Sequence, residues 1–200
     1  MKKKFDCIVI GGGHAGIEAC HAAAKMGAET CLMTIGKDKI GEMSCNPAIG
    51  GIAKGQIARE IDALGGLMGL AIDETGIQFK TLNSSKGPAV HAPRAQADRH
   101  KYQRWMENYL ESVDNLTIIE TTAEDILTED GKVTAVVSSN GHIYKTGAVV
   151  VTTGTFLKGQ MYIGEEWWDG GRIEEPPSEK LSDSFRRMGL KVERLGTGSP

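Results

Sequence analysis

A chain of 200 residues suits one large domain, or one domain with part of another. With 40% hydrophobic and 24% charged residues the composition is that of an ordinary globular protein, and a net charge of −3 excludes a domain that binds nucleic acid by overall charge alone. Its 26 glycines are about twice the usual share, and they cluster at 11–16, 50–69 and 154–171, the pattern of loops beside a ligand rather than of a flexible linker.

The apolar run Phe5–Ile10 predicts a first strand. Gly11-Gly12-Gly13-His14-Ala15-Gly16 follows directly, then a helix from about Gly13 to Met26 with Gly27 as its C-cap. Strand, glycine turn and helix are the context in which a G-x-G-x-x-G motif reads as dinucleotide binding. Gly11 allows the tight turn, Gly13 lets a pyrophosphate approach the backbone, and Gly16 lets the helix pack close to the strand. The helix N-terminus then offers N–H groups and a positive dipole end to the phosphates. Lys2-Lys3-Lys4 precedes an apolar run that stops at Gly11, too short for a signal-peptide core or a membrane span, which places the protein in the cytoplasm.

Thr30–Thr34 predicts the second strand and completes a βαβ half-unit. No carboxylate stands at its end; Asp38 and Glu42 follow only in the next loop, so either a hydroxyl replaces the usual carboxylate or the ribose is held differently. Ile35–Gly51 reads as a long glycine-rich loop, Ile52–Leu64 as an amphipathic helix, Gln78–Leu82 as a short strand, Asn83–Pro93 as a loop and Ala95–Glu111 as a long polar helix. Leu116–Glu120 is a strand; Val133–Ser138 and His142–Lys145 form a hairpin about Asn140-Gly141. Ala148–Thr152 reads as a buried strand ending in Thr153-Gly154-Thr155, a run at which two-dinucleotide-binding flavoproteins return to their cofactor, which favours FAD over NAD at the N-terminal site. A last helix falls near Lys180–Met188.

Four cysteines, at 7, 20, 31 and 45, include no CxxC pair. Cys7, Cys20 and Cys31 fall in predicted strands and the first helix and read as core thiols of a reducing compartment. Cys45 differs. It lies in the loop Met43-Ser44-Cys45-Asn46-Pro47-Ala48-Ile49-Gly50-Gly51, before a helix, where a thiol is either a lowered-pKa nucleophile or a structural turn residue. Between Lys86 and Arg104 the chain carries Lys86, Arg94, Arg99, Lys101 and Arg104 with His91 and His100 against Asp98, which is either a solvated helix face or an anion-binding face. Trp167-Trp168 is either packing or a stacking platform for a base, and Ser178 after Pro176-Pro177 is an N-cap, a cofactor hydrogen-bonder, or both. There is no metal-ligand cluster, no G-x-S-x-G and no Walker loop.

GGGHAG at 11–16, MSCNPAIGGIAKG at 43–55, EIDALGGLMG at 60–69, GIQFKTLNSSKGPAVHAPRAQADR at 76–99, TGTFLKG at 153–159 and GGR with PPS at 170–178 resemble the MnmG (GidA) family across essentially the whole chain. The resemblance implies an α/β, two-dinucleotide-binding, Rossmann-like FAD domain with a parallel central sheet and an inserted β-hairpin layer. It also implies that residues 1–200 are the N-terminal part of that domain, without the NADH-binding insertion and helical C-terminal domain of the family. Strands supplied by the rest would leave apolar edges, so the isolated piece is expected to be poorly soluble or to bind FAD weakly, and to be inactive.

By the same resemblance the full-length protein is an FAD-dependent tRNA-modifying enzyme. With the GTPase MnmE it places an aminomethyl or carboxymethylaminomethyl group on C5 of the wobble uridine, using methylenetetrahydrofolate and NADH, as a homodimer with no membrane association. Gly11, Gly12, Gly13, His14, Ala15 and Gly16 would hold the FAD pyrophosphate, Ala123 would meet the adenine through its backbone, Ser178 would touch FAD, and Cys45 would be the thiol near the flavin. A thiolate adding at C6 of uridine would make C5 nucleophilic toward a one-carbon carrier; alternatively the reduced flavin carries the methylene, and Cys45 is nucleophile, acid/base or bystander. Two other readings stand beside this one. The related folate- and FAD-dependent tRNA uridine C5-methyltransferase TrmFO differs at its glycine motif and after strand two, so His14 and Thr34 count against it. The other is an FAD-binding module without activity.

Overall fold

The computed structural model describes residues 4–44, 46–171, 178 and 180–196. In chain order the elements are β1 (Cys7–Ile10), α1 (His14–Lys25), β2 (Thr30–Thr34), β3 (Ala48–Gly50), α2 (Lys54–Ala63), α3 (Leu67–Thr75), β4 (Gly76–Leu82), β5 (Ala92–Ala97) and α4 (Arg99–Glu111). They continue with β6 (Leu116–Glu120), β7 (Ala123–Glu129), β8 (Lys132–Ser138), β9 (Ile143–Lys145), β10 (Ala148–Val151), β11 (Gln160–Ile163), β12 (Glu166–Asp169) and α5 (Leu181–Arg187).

The centre is a parallel sheet in the order β10-β1-β2-β6. Both faces of its middle strands are covered, which is why β1 and β2 read as continuous apolar runs rather than alternating ones. Val9 and Leu32 point into a core shared with Ile17 and Cys20 of α1, Leu67 of α3, and Tyr102, Met106 and Leu110 of α4. Ile8, Ile10, Cys31 and Met33 point the other way, against Ile126, Val136 and Tyr144 of the antiparallel meander β7-β8-β9 and Leu181 of α5. The layers are therefore helices, parallel sheet and antiparallel sheet, the α/β architecture expected, with the inserted hairpin enlarged to three strands. A second antiparallel sheet, β3-β5-β4, lies under α2, and β11-β12 form a separate ribbon.

Several expectations need correction. Residues Ala95–Ala97 are strand, not helix: β5 is paired on both sides, Ala95 with Ile49 of β3 and Phe79 of β4, and this pairing overrides the helix preference of alanine. The helix begins at Arg99 because Asp98 caps it, its carboxylate accepting from His100 N and Lys101 N at 3.1 Å each. The loop expected over 35–51 contains β3. β10 is not buried; it stands at the edge of the sheet among the described residues, with Ala148 and Val150 exposed. Lys180, not Ser178, is the residue at the N-cap of α5.

Candidate functional site

Gly11 leaves β1 with φ +110°, a conformation that side-chain-bearing residues avoid, and its N–H still reaches Met33 O of β2 at 2.9 Å. Thr152, just past β10, fastens the turn from the neighbouring strand. Its hydroxyl donates to Ile10 O at 2.9 Å and to Gly11 O at 3.2 Å. A Cβ on Gly16 would overlap Gly11 O and lie 2.7 Å from Thr152 Oγ1, so only glycine lets α1 approach this closely. A Cβ on Gly12 would lie 2.7 Å from Thr34 Oγ1.

Gly13 is different. It caps α1 without a side chain, at φ −74° and ψ 177°, and nothing stands within 4 Å of where its Cβ would be. That open side faces a cleft of about 130 Å³ at the carboxyl ends of β1, β2 and β6, lined by Gly11, Gly12, Gly13, Thr34, Ala123 and Ser178 among others. No acidic residue lies in the first turn of α1, so its dipole end is left for an anion. Lys39, in the 3-10 turn Lys37–Lys39, is the cationic member of the lining and also stands 3.9 Å from Glu42.

The structure thus brings Gly11, Gly12, Gly13, Ala123 and Ser178 to one cleft. Ser178 Oγ lies 3.5 Å from Ala123 O. His14, Ala15 and Gly16 do not line the cleft: the His14 ring lies 5.6 Å from that of Tyr102, Ala15 is exposed, and Gly16 is buried in the strand–helix contact. Cys45 lies outside the described residues. Thr34 ends β2 without a carboxylate, and its buried hydroxyl donates to Gly36 O at 3.1 Å. The bracing by Thr152 and the cleft-facing Lys39 were not read from the sequence. Their only signal is position, one residue past an apolar strand and five residues past the end of another.

The other thiols are held protonated. Burial pushes Cys20 and Cys31 up to about 12 and raises Cys7, so none is a thiolate at neutral pH. Among the described residues no group of His, Cys, Asp and Glu forms a metal site, and no helix is long and apolar enough to cross a membrane.

A parallel sheet whose first strand turns through glycines into a helix, with an anion-ready cleft at the strand ends, defines a Rossmann-like dinucleotide-binding protein. A family profile described as glucose inhibited division protein A matches residues 6–200, and the chain belongs to that family. It is 56% identical over 197 residues to the tRNA uridine 5-carboxymethylaminomethyl modification enzyme MnmG of Aquifex aeolicus, covering 98% of this chain and 32% of that protein. It is 54% identical to the protein of the same name from Sulfurihydrogenibium sp., again covering 98% of this chain and 32% of the relative. The chain therefore spans about a third of the length of these curated relatives. The solved structure of Aquifex aeolicus GidA superposes with a TM-score of 0.89 at 58% identity, over 92% of this chain and 31% of that one. The GidA-related protein of Thermus thermophilus superposes at 0.68 with 20% identity, over 95% of this chain and 71% of that one, and so shares the fold.

Proposed function

We propose that residues 1–200 are the N-terminal part of the FAD-binding domain of a tRNA-modifying enzyme. The carrying observation is the open side of Gly13 at the mouth of the β1–α1 cleft, in a chain whose relatives are named for tRNA uridine modification. The residues present fit a dinucleotide: bare backbone at Gly11–Gly13, the dipole end of α1, the cationic Lys39 and the buried Ala123. In this reading Gly11–Gly16 form the turn that receives the pyrophosphate, the Ala123 backbone meets the adenine, and Ser178 fixes the ligand beside it. FAD held by these residues, kept reduced by NADH, would supply the reactive flavin; adding the methylene unit and an amine to C5 is itself redox-neutral, so the flavin would not be consumed.

The substrate is the wobble uridine of tRNA, and methylenetetrahydrofolate is the one-carbon donor. The GTPase MnmE is the partner and the enzyme is a cytoplasmic homodimer. Cys45 is the reactive thiol. Added as thiolate to C6 of the uridine, it moves the C5–C6 electron pair toward O4 and makes C5 nucleophilic; after C5 is alkylated and loses its proton, the thiolate leaves. Residues 1–200 alone are poorly soluble or bind FAD weakly, and do not turn over.

The test is reconstitution of the intact protein with undermodified tRNA, MnmE, GTP, methylenetetrahydrofolate, an amine donor, FAD and NADH, omitting one component at a time. The reading predicts a C5 substituent on the wobble uridine that fails to form without FAD. A product formed equally without FAD, or none with all components, contradicts it.

A further inference from the structure

A second cavity, of about 400 Å³, lies where the sheet β3-β5-β4 meets α2 and α3, and Arg59, Lys80 and Arg94 line it. Lys80 and Arg94 are direct cross-strand partners in β4–β5, and Gly50 of β3 stands opposite Arg94 on its other side. Directly opposed residues of an antiparallel pair share a face, and like charges placed so repel. Among the described residues no carboxylate pairs with Arg59, Lys80 or Arg94. Arg94 is half-buried as a residue and has no carboxylate partner among the described residues. A Cβ on Gly50 would lie 2.1 Å from Pro93 O, so only glycine lets β3 approach β5 this closely beside Arg94.

The charge balance narrows the ligand. Asp62 and Asp73 line the same cavity, so three cations face two carboxylates, an excess matched by one singly charged anion. β4 is the edge strand of its sheet, and Phe79, next to Lys80 on that strand, is 60% exposed and lines the same cavity. A ligand entering at this edge meets the cations and an aromatic ring in one cavity. A phosphodiester with an adjacent unpaired base has that chemistry. We infer that the Lys80–Arg94 pair holds one backbone phosphate of the RNA strand, with Phe79 stacking a neighbouring base. The inference rests on the RNA-modifying reading above and names a contact point on this chain that is separate from the β1–α1 cleft.

The experiment is fluorescence anisotropy of the intact protein against an unmodified tRNA transcript and a short single-stranded oligouridylate, across a salt series. Lys80→Gln, Arg94→Gln, their double variant and Phe79→Ala are compared with the unsubstituted protein, and flavin content is read from the absorption spectrum. We expect the double variant to bind tRNA about tenfold more weakly, with a log–log salt slope smaller by about one, and to keep its flavin. Phe79→Ala is expected to weaken binding without changing the slope. Affinity and slope unchanged in the double variant overturn the subsite. If the double variant fails to fold, exposed Lys80 alone carries the test by the same criteria. Oligouridylate binding that depends on these residues, in a protein that never modifies tRNA, supports the subsite and removes only the reading of function. Absence of binding to either probe by the unsubstituted protein removes both.

Discussion

Thr152 Oγ1 occupies the place beside Gly16 that any side chain there would need, 2.7 Å from the ideal Cβ position, while donating to the carbonyls of Ile10 and Gly11. The hydroxyl of one strand end thus sets the closeness of a turn and helix that begin some 140 residues earlier in the chain. Gly16→Ala forces Gly11 O and Thr152 apart. Overpacking of this kind costs about 1–3 kcal/mol. The expected outcome is a lower thermal midpoint together with loss of bound flavin from the intact protein. Calorimetry and the absorption spectrum of the purified variant check it; a variant that keeps both shows that the turn is not the cofactor's anchor.

Glu18 of α1 holds the start of α3. Its carboxylate accepts from Leu67 N at 3.0 Å and from Met68 N at 2.8 Å, where Gly66, the N-cap, has no side chain to offer. Glu18→Ala is expected to cost about 1 kcal/mol, the usual size of a lost cap, and to speed amide exchange in the first turn of α3. Hydrogen exchange at Leu67 and Met68 reads this directly, and unchanged protection there contradicts it.

Asp98 gives the fold a dependence on acid. The backbone N–H of Lys101, with that of His100, holds its carboxyl below the usual carboxylate range. A carboxyl whose pKa is depressed on folding stabilises the native state above its unfolded value of about 3.9, and that contribution is lost as pH falls through the folded value. Asp98→Asn keeps a capping oxygen but cannot titrate. Denaturant midpoints between pH 6 and 3 are expected to fall less steeply for Asp98→Asn than for the unsubstituted protein; equal slopes would show that the cap does not carry the acid sensitivity.

The cysteines divide by environment. Cys20 and Cys31, pushed up to about 12, are expected to resist iodoacetamide at pH 8 in the native protein and to react only after unfolding. Because folding raises these thiols, their contribution to stability is complete below the ordinary thiol value of about 8.5 and declines as pH rises toward 12. Cys45 is expected to label first. Peptide mass spectrometry after a timed pulse tests both statements, and early labelling of Cys20 or Cys31 contradicts the first.

What the sequence revealed follows from where the determining contacts lie. The glycine turn, α1 and β2 were legible because strand, turn and cap signals there are local, and Thr30–Thr34 matches its expected bounds. α3 was missed because its cap arrives from Glu18, about 49 residues away. Ala95–Ala97 read as helix because of their alanines, and they are strand because the ladder of β5 with β3 and β4 outweighs that preference. β7 begins Ala-Glu-Asp, residues poor in strands, yet Asp130-Gly131, with φ of 49° and 72°, was a usable turn signal between β7 and β8. At the site, the glycines could be read and the bracing Thr152 could not, since its role depends on strand order rather than on spacing.

The central claim, a tRNA wobble-uridine-modifying flavoenzyme, is tested most directly by mass spectrometry of tRNA nucleosides from cells with and without the intact gene. The account predicts loss of the C5-aminomethyl and carboxymethylaminomethyl family of wobble uridines, restored by the unsubstituted gene and not by a Gly16→Ala copy. Wobble uridines that stay unchanged while 5-methyluridine disappears would contradict it and point to the methyltransferase instead.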